Sequence, residues 1–159
     1  MKNLLTILVC VLLFINVKIA SAQDDNIRDF YIKALQVCLD STNAHYKDVS
    51  HNRWENVIVK KEFWMGENFP DKVGTIKIQY LTDEELEQKF YETNERFPYI
   101  EMSPLFLKDG LFIIFFTDYW MNTYKGDIIR ELEGGSELKY KFDCESGKLI
   151  FDSIEFSSI

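Results

Sequence analysis

Apolar residues recur along this chain in two rhythms, and a change of rhythm marks a change of element. Ile27, Phe30, Tyr31, Ala34, Leu35 and Cys38 fall at the i, i+3, i+4, i+7 spacing of one helical face and predict a helix from Asp25 to Leu39. Asp24, Asp25 and Asn26 supply cap candidates and negative charge at its start. Ser41 to Glu55 is polar and without a period, so it reads as a loop or a loop with a short helix. Strand signals then begin. Val57 to Trp64 is rich in β-formers, a turn region from Gly66 to Gly74 surrounds Pro70-Asp71, and Thr75 to Leu81 alternates with Ile76, Ile78 and Tyr80 on one face.

The period changes again at Thr82-Asp83-Glu84-Glu85, where Thr82 and Glu85 can bond reciprocally as a capping box. A second helix is expected from Asp83 to Asn94, with Leu86, Phe90 and Tyr91 inward. Tyr99 to Leu107 and Leu111 to Met121 flank Lys108-Asp109-Gly110 and read as a hairpin. Pro104 cannot donate to a ladder and predicts an edge or a bulge. The run Phe112 to Phe116 is apolar on both faces, as a central strand buried on both sides would be. Asn122 to Gly135, with three glycines, reads as a long connection. Glu137 to Cys144 alternates, placing Leu138, Tyr140, Phe142 and Cys144 on one face, and Glu145 to Lys148 turns the chain into a last strand, Leu149 to Phe156.

This order predicts a single α+β domain over residues 23–159, a curved antiparallel sheet of about six strands packed on two helices at one face. In element order it resembles the cone-shaped nuclear transport factor 2-like or cystatin-like architecture. That resemblance implies a curved sheet around a helical layer, and it leaves function open, because such folds host enzymes and binding modules alike.

The N-terminus has a different character. Lys2 precedes an apolar run from Leu4 to Val17, and Ala20-Ser21-Ala22 places small residues where a signal peptidase reads. The pattern predicts an export signal over residues 1–22, cleaved after Ala22, and a secreted or periplasmic protein beginning at Gln23. The run is shorter than the roughly 18 residues a membrane anchor needs. Valine before Cys10 argues against a lipoprotein cut there.

Cleavage changes the charge. Of the 18 basic residues Lys2 and Lys18 precede the cut, whereas all 26 acidic residues follow it, so the mature chain carries about −10. Such a chain repels phosphate backbones and anionic lipid, so nucleic acid is not an expected partner, and no second apolar segment is long enough to span a membrane, so no membrane insertion is expected after cleavage. Cys38 and Cys144 remain, and in an oxidising compartment two inward cysteines are a disulfide candidate.

Candidate chemistry is sparse. Asp118 shares a strand face with Phe112, Ile114, Phe116 and Trp120; buried there, a carboxylate would act as a general acid or base, and solvated at a strand end it would not. His45, Asp48 and His51 match no zinc-ligand spacing, so no metal or other cofactor is expected. Neither a serine-nucleophile elbow nor a phosphate-cradling glycine loop is present. Trp54, Trp64 and Trp120, with Tyr119 and Tyr124, form an aromatic supply suited either to core packing or to recognition. The expectation is a non-catalytic exported binding or interaction domain for an unknown protein, peptide or small ligand. The alternatives are a small-molecule enzyme using Asp118 and a structural module without a ligand.

Overall fold

A computed structural model describes residues 27–44, 56–65 and 69–158. The predicted signal, His45, Asp48, His51 and Trp54 lie outside them. Helix α1 covers 27–44. It is followed by β1 (Asn56–Lys60), a 3₁₀ turn (Phe63–Met65), β2 (Lys72–Val73), β3 (Ile76–Leu81) and α2 (Asp83–Thr93). Then come β4 (Phe97–Met102), β5 (Phe106–Lys108), β6 (Leu111–Tyr124), β7 (Asp127–Asp143) and β8 (Lys148–Ser158). The protein is α+β. The eight strands among the described residues form one open sheet in the order β2-β3-β1-β4-β6-β7-β8, with β5 added to β6.

The predicted hydrophobic face of α1 is the face the sheet covers. Tyr31, Ala34, Leu35, Cys38 and Leu39 are buried against Val57, Val59, Ile76, Ile78, Ile100, Met102, Ile114, Phe116, Leu138 and Tyr140. The helix continues past Leu39, and the buried Thr42 satisfies its hydroxyl by donating to the Cys38 carbonyl, 2.8 Å away. The capping box forms as read: the Glu85 amide donates to Thr82 Oγ1, and the Thr82 amide to Glu85 Oε2. Asn94 ends α2 in the left-handed region.

Two features of the sheet depart from the expectation. It is mixed, since β1 pairs in parallel with both β3 and β4. The helices also take opposite faces. Tyr99, Leu81 and Met121 alternate with the α1-facing residues of their strands, and they pack with Leu86 and Phe90 of α2 in a second, smaller core. The strands beyond the six expected are β2, in the expected turn region, and β5, separated from β4 at Pro104, and nothing in the topology confirms the cone-shaped architecture. The reason for the mixed pairing is the crossover: α2 links β3 to β4 across β1, and a helical crossover joins parallel strands.

The expected connection from Asn122 to Gly135 is instead strand. β6 runs to Tyr124, Lys125 and Gly126 turn with positive φ, and β7 begins at Asp127. Its glycines sit where β7 bulges against β6, the register shifting between Asp118 and Tyr119. A Cβ on Gly135 would lie 2.4 Å from the Phe116 carbonyl oxygen, so close backbone approach, and no turn, explains that glycine. The strand expected from Tyr99 to Leu107, with an edge or bulge at Pro104, is instead interrupted there, and Pro104 lies between β4 and β5. There the Phe115 amide donates to Ser103 Oγ, 2.9 Å away, keeping its partner where the ladder fails.

The disulfide expectation is corrected. Cys38 and Cys144 are free thiols, the first buried and the second exposed. Cys38 Sγ lies 3.4 Å from Ser136 Oγ, and Cys144 follows eight positions later, just beyond the end of β7. At about 3.3 Å per residue that separates it from Ser136 by roughly 26 Å along the strand. The alternation was right, but the core ends before the strand does: Tyr140 is buried and Phe142 already exposed.

Two outcomes follow. In a protein spanning residues 23–159, one thiol, Cys144, should react with a thiol-specific reagent at neutral pH and two after denaturation, because burial pushes Cys38 up to about 12; titration that finds none in denaturant would show a disulfide. Gly135→Ala should lower stability by about 1–3 kcal/mol through forced separation of β6 and β7, measured by urea unfolding.

Candidate functional site

Strands β1 and β4 are parallel neighbours, and the chain leaves their C-terminal ends in opposite directions. From β1 it passes through the 3₁₀ turn toward β2 and β3; from β4 it passes through Ser103-Pro104-Leu105 toward β5 and β6. Divergence at the carboxyl ends of adjacent parallel strands opens a crevice in a sheet, the usual position of ligand sites in open sheets with crossovers. Such a crevice of about 270 Å³ is present, lined by Glu62, Phe63, Trp64, Glu101, Ser103 and Thr117, with Met102 and Pro104. Phe63 is 97% exposed. Trp64 is half-buried and packs on Tyr31 at 4.6 Å between ring centroids, while the Tyr31 hydroxyl accepts from the Leu105 amide at 2.7 Å. The two walls of the crevice are thus tied together behind it.

Its floor is ionic. Lys60, on the α2 face at the end of β1, lies 3.2 Å from Glu62, 3.2 Å from Glu101 and 3.3 Å from Asp83. Arg130 of β7 reaches Asp83 at 2.7 Å and Glu87 at 3.9 Å. The network fastens the first turn of α2 to three strands and rings the small core around Tyr99. Burial alone would lower the Lys60 pKa, but hydrogen bonds and charge from Glu62, Glu101 and Asp83 reverse that and raise it. Tyr80 and Tyr99 are both raised by burial, and the hydroxyl of neither has a hydrogen-bond partner among the described residues.

A second depression of about 270 Å³ adjoins the first, and Thr117 lines both. It crosses β6, β7 and β8 on the same outer face, with Phe115, Leu132, Glu137, Glu155 and Ser157 on its walls and Gly134-Gly135 below. Leu132 is exposed, and Phe115, partly exposed, stacks on Phe106 at 5.3 Å. Lys139 bridges Glu155 at 2.6 Å and Glu137 at 3.8 Å. A polar side chain at 135 would intrude here, so the close approach of β6 and β7 also shapes the groove.

The residues singled out from sequence are not brought together. Asp118 is half-buried on the α1 face, opposite Ile100 in the ladder. It lines a gap of only about 10 Å³ between β1 and β4, room for about one water. Trp120 is also half-buried, its indole N–H donating to the Glu133 carboxylate and its ring lying 4.2 Å beneath the Arg96 guanidinium. Trp64 alone of the tryptophan candidates among the described residues lines the crevice. Glu62, Phe63 and Glu101 were not anticipated. No local signal marked them, because the exposure of Phe63 follows from the 3₁₀ turn (Phe63–Met65) that ends the run of β-formers after β1. No group of three or more potential metal ligands occurs among the described residues, and no helix there is long and apolar enough to cross a membrane.

Lys60, Tyr80, Tyr99 and Tyr140 hold their protons more tightly folded than unfolded, Tyr140 being pushed by burial up to about 12. Raised values stabilise fully below the unfolded pKa, about 10 for tyrosine and lysine, and the contribution is lost as pH rises through and past it. The urea midpoint should therefore hold to about pH 9 and fall steeply above about pH 10, together with tyrosinate absorbance. Lys60→Met, which leaves three carboxylates facing one another, should cost about 1–3 kcal/mol at neutral pH, reduced from the fully buried case because the carboxylates still meet water.

No family model matches the sequence, and no curated protein or solved structure matches it either, so the crevice and its adjoining groove are read from their own geometry.

Proposed function

We propose that this chain is an exported, non-catalytic binding or interaction domain, released by cleavage after Ala22 into the periplasm or beyond, whose recognition surface is the crevice at the ends of β1 and β4 with its extension across β6 to β8. The observation that carries the reading is Phe63. A phenylalanine 97% exposed at the mouth of a cleft, beside a tryptophan, gives up apolar burial that a partner would restore. The polar lining supports binding over catalysis. Glu62 and Glu101 are engaged by Lys60, and Ser103 Oγ accepts from the Phe115 amide, so these groups serve structure first.

The enzymatic alternative rests on Asp118, and a gap of about 10 Å³ gives a substrate little room beside it among the described residues. Cys38 is no better as a nucleophile, since its thiol is buried in the core and pushed up to about 12.

The mature domain, immobilised and exposed to the soluble contents of its native surroundings, should capture a partner that Phe63→Ala captures at least about fivefold less, a loss of roughly 1 kcal/mol. An exposed phenylalanine can be removed with little effect on folding. Equal recovery by both proteins, or turnover of a small molecule abolished by Asp118→Asn, would overturn the reading.

A further inference from the structure

We infer that the groove accepts an extended basic peptide segment of a partner protein, lying across the strands; this rests on the binding reading above and names the occupant. Three observations meet here. First, the two depressions lie side by side on one face of the sheet with Thr117 on the wall of both, and together they reach from the segment after β1 past β4, β6 and β7 to β8. Four strand spacings of about 4.8 Å give a length of roughly 19 Å, the span of about six extended residues.

Second, the groove carries carboxylates at both ends, Glu62 and Glu101 in one depression and Glu137 and Glu155 in the other. The opposing cations, Lys60 and Lys139, are each already shared between carboxylates. Lys60 contacts Oε1 of Glu62 and Oε1 of Glu101, and an ionised carboxylate can accept at both oxygens. Glu155 is the most open of the four, its side chain 64% exposed. A mature charge of about −10 adds a long-range field that draws a cationic partner.

Third, the walls between the acidic ends are apolar. Phe63, Phe115 and Leu132 are exposed or partly so, and aromatic faces suit both the methylene stems and the charged heads of lysine and arginine. A small cation would use one end only. An anionic or nucleic-acid partner would meet repulsion throughout. A peptide with basic side chains at alternate positions matches the acidic ends and the apolar middle together.

The test uses the mature domain and two capped hexapeptides, one alternating alanine with lysine and one alternating alanine with the uncharged, similarly sized norleucine. Amide NMR shifts should map lysine-peptide binding to Phe63, Ser103, Thr117 and Glu155. The norleucine peptide should bind at least about tenfold more weakly, and raising ionic strength should weaken the lysine peptide further. Glu101→Gln and Glu155→Gln should each weaken it about threefold and together about tenfold, with Glu155→Gln the safer variant because Lys139 keeps Glu137. Equal affinity for the norleucine peptide overturns the basic assignment and leaves a hydrophobic binding groove. Failure of both peptides, while capture of a partner still depends on Phe63, also overturns the assignment and again spares the binding reading. Loss of that Phe63 dependence sinks both.

Discussion

The insertion of β1 between β3 and β4, parallel to both, is the constraint on which the architecture turns. Parallel neighbours cannot be joined by a tight hairpin, so the chain must cross a face of the sheet, and α2 makes that crossing. With α1 already on one face, α2 occupies the other, and each strand beneath them becomes two-sided. The same pairing forces the chain to diverge beyond Lys60 and Met102. The crevice is what that divergence leaves open.

Lys60 links the constraint to the site. It stands at the last residue of β1, and its ammonium joins a residue of the crevice wall on each side to the first turn of α2. A lysine so placed is costly in isolation, and it is tolerated because three carboxylates satisfy its three donors. The arrangement holds Glu62 and Glu101 in position for a ligand while leaving the crevice with an excess of negative charge. Stability and recognition therefore draw on the same side chains.

The long β6-β7-β8 unit extends the surface. Its strands outrun the core, so their ends carry exposed Phe142, Ile150 and Tyr124, and its bulge at Asp118/Tyr119 is accommodated by Gly134-Gly135. Gly135 resembles a loop residue in sequence because the requirement it meets, close passage of the Phe116–Thr117 backbone, lies eighteen or more residues away along the chain. The thiol of Cys38 illustrates the same separation. Periodicity put it on the inner face, yet its partner is the hydroxyl of Ser136, and Cys144 is carried past the edge of the core.

Local chemistry by itself determined the α1 face from Tyr31 to Cys38, the capping box at Thr82 and Glu85, the irregularity at Pro104 and the acidic balance. Each depends on residues within a few positions of one another, where side-chain period and hydrogen-bonding capacity act directly. The tertiary structure alone decided the parallel pairing, the opposite faces of the helices, the free state of the cysteines and the meeting of Glu62 with Glu101. Those depend on which strands become neighbours, a choice made by the packing of the whole sheet and not by any single segment. Asp118 and the tryptophans looked functional because their residue types are rare on such faces, while the groove is built from common glutamates and a phenylalanine that only the topology brings together.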